Sequence, residues 1–127
     1  MNMLEKKTLL AMHQRLIATY GGSHGLRDEG LLESAIAMPY MTFFGEDLYP
    51  SLEAKAAQLC FGLVKNRPFI DGNKRIGAHA MLTLLRMNGY DFDLTNEELE
   101  DCIHAVARSE MNASELTAWI KSHIKAE

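Results

Sequence analysis

No run of 18 apolar residues occurs in this 127-residue chain, which excludes a conventional membrane-spanning helix and leaves no membrane partner to expect. Positive charge is not in excess. Lysine and arginine number 13 against 17 acidic residues, for a net charge of -4, whereas a nucleic-acid surface needs a basic patch. No direct nucleic-acid partner is therefore expected. Cysteine is scarce, and Cys60 and Cys102 sit in helix-like apolar contexts. They read as buried thiols, not as a disulfide, which fits a reducing cytoplasm. The stretch from Met1 to Lys7 lacks the apolar centre of a signal peptide. Repeats, low-complexity tracts and linkers are missing too. What remains is 47% hydrophobic and 24% charged, a globular composition, and the length fits a single domain spanning 1–127.

Helical periodicity dominates that chain. Leu9, Leu10, His13, Leu16, Ile17 and Tyr20 recur at three- and four-residue steps and stop at Gly21-Gly22. A second helix is expected from about Glu29 to Met38, ended by Pro39. Ser51 is placed to cap a third that runs to about Asn66. A fourth, from about Gly72 to Asn88, carries Ile76, Ala80, Leu84 and Met87 and is expected to be the central helix. Thr95-Asn96-Glu97-Glu98 has the pattern of a capping box, and Asn112-Ala113-Ser114-Glu115 that of another cap, each starting a further helix. Strand signals are weak: Tyr90 to Leu94 alternates but is short. The fold expected is all-α, with six helices. Between Pro39 and Pro50 the helical pattern breaks, and Phe43 and Phe44 are expected to tuck into the core.

Between the third and fourth helices lies Asn66-Arg67-Pro68-Phe69-Ile70-Asp71-Gly72-Asn73-Lys74-Arg75. A loop that enters a helix at Gly72-Asn73 exposes free backbone N–H groups, and the helix dipole adds roughly half a positive charge there. Lys74 and Arg75 reinforce that sign. Asp71 opposes it, and a lone carboxylate beside a phosphate site is explained by a Mg²⁺ ion between them. One reading is a nucleotide-phosphate cradle with its own metal ligand. The other is an ordinary turn and cap, since Asp-Gly-Asn also suits that role and only one glycine is present.

These residues resemble the signature of the Fic/Doc superfamily, His-x-Phe-x-Asp-(Gly/Ala)-Asn-(Lys/Gly)-Arg, which joins two helices. Phe69, Asp71, Gly72, Asn73, Lys74 and Arg75 all match. Lys74 is similar to the Doc (death-on-curing) branch, where adenylylating Fic proteins have glycine. Gly25 to Ile36, Tyr49-Pro50 and Lys55-Ala56-Ala57 also resemble Doc segments, so the likeness spans roughly residues 25–90. The resemblance implies a compact Fic/Doc-like domain with a short flap before the motif helix. It implies that Asp71 holds Mg²⁺ and that Gly72, Asn73, Lys74 and Arg75 bind ATP phosphates. Lys74 and Arg75 would stabilise charge in the transition state, and Phe69 would fix the loop from a buried position.

The chain departs from the pattern at Arg67, which occupies the place of the histidine base. Guanidinium stays protonated at any working pH and cannot take a proton from a hydroxyl. His79 lies one turn beyond Arg75 but reads as structural; His13, His24, His104 and His123 have no metal-ligand spacing. A second departure is Ala78, where adenylylating Fic proteins carry another arginine. The resemblance thus implies a Doc-type toxin of a toxin–antitoxin pair. Its parent activity would be transfer of the ATP γ-phosphate to a hydroxyl of a translation factor, elongation factor Tu, with Arg67 leaving this chain nearly inactive. The alternatives are a Fic-type adenylyltransferase and a catalytically dead module that binds only nucleotide or antitoxin. No internal inhibitory pattern of the form Ser/Thr-x-x-x-Glu-Gly/Asn is present, so a separate cognate antitoxin is the expected partner. The N-terminal helices and Gly25 to Met38 would form the walls of its groove.

Overall fold

The structure, a computed structural model, describes residues 2–125. Six helices carry it: α1 (Lys6–Tyr20), α2 (Glu29–Ala37), α3 (Leu52–Asn66), α4 (Asn73–Arg86), α5 (Asn96–Ala107) and α6 (Ala113–His123). A 3₁₀ turn, Met38–Tyr40, follows α2. The remaining regular structure is two small antiparallel pairs. β1 (Thr42–Phe43) pairs with β2 (Glu46–Asp47), and β3 (Asp91–Phe92) with β4 (Ile124–Lys125). The short alternating stretch near Tyr90 thus does become a strand, paired with the segment that leaves α6. No helix among the described residues is long and apolar enough to cross a membrane.

The helix starts follow from their caps. Asp28 accepts from the Leu31 N–H at 3.0 Å, and Ser51 from Ala54 at 3.1 Å. Thr95 with Glu98, and Asn112 with Glu115, close full capping boxes. Each such cap stabilises its helix by about 1 kcal/mol. No side chain caps α1 or α4, and at the start of α4 Gly72 stands at the N-cap with φ 76°.

The central helix is α3, not α4 as the sequence pattern suggests. α3 packs against α2, the 3₁₀ turn, α4, α5 and α6, while α4 packs chiefly on α1, α3 and α5. The apolar face of α4, with Ile76, Ala80, Met81, Leu84 and Leu85, is buried. Its other face carries Lys74, Arg75 and Arg86, which are exposed, so it cannot lie inside. Two small residues bring the helices close. A Cβ on Gly62 would come within 3.0 Å of the Ala35 side chain, and one on Gly77 within 2.6 Å of Val64. Cys60 and Cys102 are free and buried, and burial pushes the Cys102 thiol up to about 12.

The segment between Pro39 and Pro50 folds as the β1–β2 hairpin, turning at Phe44 (φ 51°) and Gly45 (φ 79°). Two successive positive φ angles are the mark of the tight turn that matches strand twist. The expectation that Phe43 and Phe44 enter the core is wrong: they are 65% and 91% exposed, edge to face at 4.5 Å. The turn puts Phe44 at the tip, and strands of two residues are too short to fold over and bury it. The hairpin is anchored at its base instead. Lys55, only 3% exposed on α3, sends its ammonium to the Asp47 carboxylate at 3.0 Å and to the Tyr49 carbonyl.

Candidate active site

α3 ends at Arg67, a left-handed residue with φ 51° and ψ 56°. Helix ends leave carbonyls without intrahelical partners, and here a distant side chain satisfies two of them. Arg27 donates from Nε to the Arg67 carbonyl and from Nη2 to the Asn66 carbonyl, both at 2.7 Å. The Arg27 and Asp28 N–H groups both donate to the Pro68 carbonyl, at 2.7 and 3.0 Å, and the Ile70 N–H donates to Gly25 at 3.0 Å. Residues 25–28 thereby hold residues 66–70 as a short bridged pair, with Leu26 opposite Phe69.

Phe69 is 1% exposed. Its ring stacks on His13 of α1, 3.7 Å between centroids and 11° from parallel. Its backbone N–H donates to Asn73 Oδ1 and its carbonyl accepts from Asn73 Nδ2, each at 3.0 Å. The Asn73 carboxamide therefore braces the loop from a buried position, and the backbone N–H of Asn73 is the part left for an anion. The Asp71 carboxylate is exposed. Oδ1 accepts from the Gly72 N–H at 2.8 Å, and Oδ2 from the Ser23 N–H at 3.2 Å. Behind it, His13 Nε2 contacts the Asp71 carbonyl at 2.8 Å. Gly22 fits against the same carboxylate only because it lacks a side chain: a Cβ there would lie 2.7 Å from Oδ2.

The loop opens onto a groove of about 990 Å³. Arg67, Asp71, Gly72, Asn73, Lys74 and Arg75 all line it, so the motif residues singled out from the sequence, Phe69 apart, share one surface. Leu82, Thr83 and Arg86 of α4 continue that wall. Asn96, Leu99, Glu100, Ile103 and His104 of α5 face it. Four basic side chains, Arg67, Lys74, Arg75 and Arg86, stand against two carboxylates, Asp71 and Glu100. Among the described residues none of the four cations is in a salt bridge. In a chain of net charge -4 this local excess suits an anionic guest, since it raises the concentration of anions in the groove. Arg75 lies over the Tyr20 ring at 4.4 Å, and Arg86 over Phe92 at 5.0 Å. His79, between Arg75 and Arg86 on α4, binds its proton less readily than usual. Burial is the main cause, followed by the charges of Arg75 and then Arg86. Ala78 also faces the groove, with only a methyl to offer.

Several of these residues carry no local signal in the sequence. His13 sits at an apolar position of α1, and a histidine on an apolar stripe was the one clue to its place beside the loop. Arg27, Ser23 and Gly22 act from more than 38 positions upstream. Arg86, Asn96 and His104 are ordinary helix-surface residues until α4 and α5 are set side by side.

Among the described residues no group of three His, Cys, Asp or Glu side chains is arranged to hold a metal by itself. Asp71 alone fits Mg²⁺, which takes one or two carboxylates and completes its shell with phosphate oxygens and water. Each Asp71 oxygen has one amide partner and keeps lone-pair capacity for a cation.

The model of the Fic/DOC family matches residues 3–85, which run from before α1 through almost all of α4. The chain is 39% identical over 103 residues to a protein described as "Toxin Doc" from Mycolicibacterium smegmatis, covering 78% of each chain. It is 30% identical over 122 residues to "Protein kinase doc" of Escherichia phage P1, covering 95% of this chain and 94% of the other.

Proposed function

The chain belongs to the Fic/DOC family, and on that premise we propose that it is a Doc-type toxin that binds Mg²⁺-ATP in the α4–α5 groove. Its parent reaction is transfer of the γ-phosphate to a hydroxyl of a translation factor, elongation factor Tu, in a reducing cytoplasm that suits its two free buried thiols. The observation that carries this reading is the start of α4. Gly72 leaves the first-turn N–H groups uncapped, and Lys74 and Arg75 stand beside them on the groove wall. Phosphoryl transfer asks for positioning and charge neutralisation more than covalent help, and this end of α4 supplies both. Mg²⁺ held by Asp71 would neutralise charge on the phosphate oxygens. The chain lacks the third requirement: Arg67, which lines the same groove, cannot accept the hydroxyl proton. Arg67 favours a chain that captures nucleotide and turns it over little.

Titration calorimetry with ATP tests the binding. Affinity is expected to rise with Mg²⁺, and Asp71→Ala to abolish that dependence. Equal affinity with and without Mg²⁺ removes Asp71 from the metal role, and no ATP binding removes the nucleotide reading. Intact-mass measurement of a treated elongation factor separates phosphate transfer from AMP transfer. Ala78, in place of a phosphate-binding arginine, speaks against AMP.

The partner proposed is an antitoxin whose C-terminal segment orders on the surface of α1, α2 and the 25–38 segment. A segment that binds only the folded toxin raises its thermal midpoint in a concentration-dependent way. Co-expression with the adjacent small reading frame should give a complex of raised midpoint. Failure to co-purify, with no shift in melting, refutes the pairing.

A further inference from the structure

We propose that His13 is a positioning residue that locks the Asp71–Gly72 peptide in the orientation an anion needs. The inference rests on the nucleotide reading above only where it concerns affinity; the lock itself is a statement about the loop. His13 is 3% exposed. It contacts the motif loop twice, by its face on Phe69 and by Nε2 on the Asp71 carbonyl at 2.8 Å. With the proton on Nε2, that contact is a hydrogen bond donated to the carbonyl.

A trans peptide is planar, with its C=O and N–H pointing opposite ways. Holding the Asp71 oxygen against α1 therefore aims the Gly72 N–H away from α1, where it meets Asp71 Oδ1 at 2.8 Å. A flip of this peptide would exchange the two. The carbonyl oxygen would then point to the side from which an anion approaches, and the carboxylate would lose an amide partner. Little else opposes the flip. It changes only ψ of Asp71 and φ of Gly72, and glycine tolerates φ of either sign. Gly72 sits at φ 76°, in the half of that range other residues avoid. The freedom that lets Gly72 start α4 also leaves this peptide in need of an external restraint, and His13 is the side chain in contact with the oxygen to be restrained.

Two variants separate the hydrogen bond from the stack. His13→Phe keeps an aromatic face for Phe69 and loses the donor. His13→Gln keeps an N–H donor and loses the ring. The readout is ¹⁵N relaxation dispersion at the Gly72 and Asn73 amides, with Mg²⁺-ATP affinity measured alongside. In His13→Phe the Gly72 amide is expected to broaden by exchange and ATP affinity to fall about tenfold, the worth of one hydrogen bond. In His13→Gln the amide stays sharp and affinity returns to within a few-fold. A sharp, unshifted Gly72 amide in His13→Phe overturns the proposal. So does broadening in His13→Gln alone, which assigns the effect to the stack. If His13→Phe does not fold, His13→Leu serves as the donor-free variant, and a sharp, unshifted Gly72 amide there overturns the proposal in the same way. If no form binds ATP, the nucleotide reading fails, and the amide readout still judges the lock.

Discussion

Arg67→His is expected to raise phosphoryl transfer to elongation factor Tu by roughly 10²–10⁴-fold, the usual worth of a general base, and to make the chain toxic on expression. Asp71, Gly72, Asn73, Lys74 and Arg75 line the same groove as Arg67, and the backbone at this position favours the exchange. Residue 67 is left-handed, and histidine is among the residues enriched in that region. Its carbonyl is gripped by Arg27, a contact indifferent to the side chain. The variant should therefore fold as the parent does, and its thermal midpoint should stay close to the parent's. Growth of a sensitive host expressing each form, with labelled-phosphate transfer in vitro, checks the outcome. Equal growth at equal protein level, together with equal transfer, would falsify the role of position 67.

In that reactivated background, Lys74→Ala and Arg75→Ala should each lower the rate by about 10²–10³-fold, as removal of a transition-state donor does. Neither cation is in a salt bridge among the described residues, so neither loss leaves a buried charge unpaired. Stability should hardly move. Arg75 adds a contact with the Tyr20 ring worth about 0.5–1 kcal/mol at an exposed site, and Arg75→Lys keeps a charge but not the planar fork. The effect belongs in kcat if the groups act on charge that develops during transfer, and in KM if they only hold the nucleotide. A loss under threefold in kcat/KM for both variants removes them from the chemistry.

The sequence spoke clearly wherever the signal was local. Ser51, Thr95 with Glu98, and Asn112 with Glu115 announced three helix starts, because a cap is written within four residues. Asp71 to Arg75 could be read as one cluster for the same reason, whereas the burial of Phe69 came from the family resemblance. What needed the folded chain was everything that depends on distant partners. Phe43 and Phe44 look like core residues until the hairpin is seen to stand away from the helices. α4 looks central by composition, but α3 lies between more neighbours. The Asn73 carboxamide looks available for a phosphate, yet it closes on the Phe69 backbone. His13, Arg27 and Ser23 join the site through contacts made 39 to 58 positions along the chain, and apart from the apolar stripe on which His13 sits, nothing in their own neighbourhoods foretells it.

The grip of residues 25–28 on the end of α3 has a consequence for how this lineage can change. Every contact in it lands on a backbone oxygen or amide of residues 66–70, and none on the side chain at 67. Architecture and chemistry are thus recorded in different atoms. On the function proposed above, a single codon at position 67 would silence or revive the reaction while the scaffold passes on unaltered, and a silenced copy would keep the surface offered to its partner.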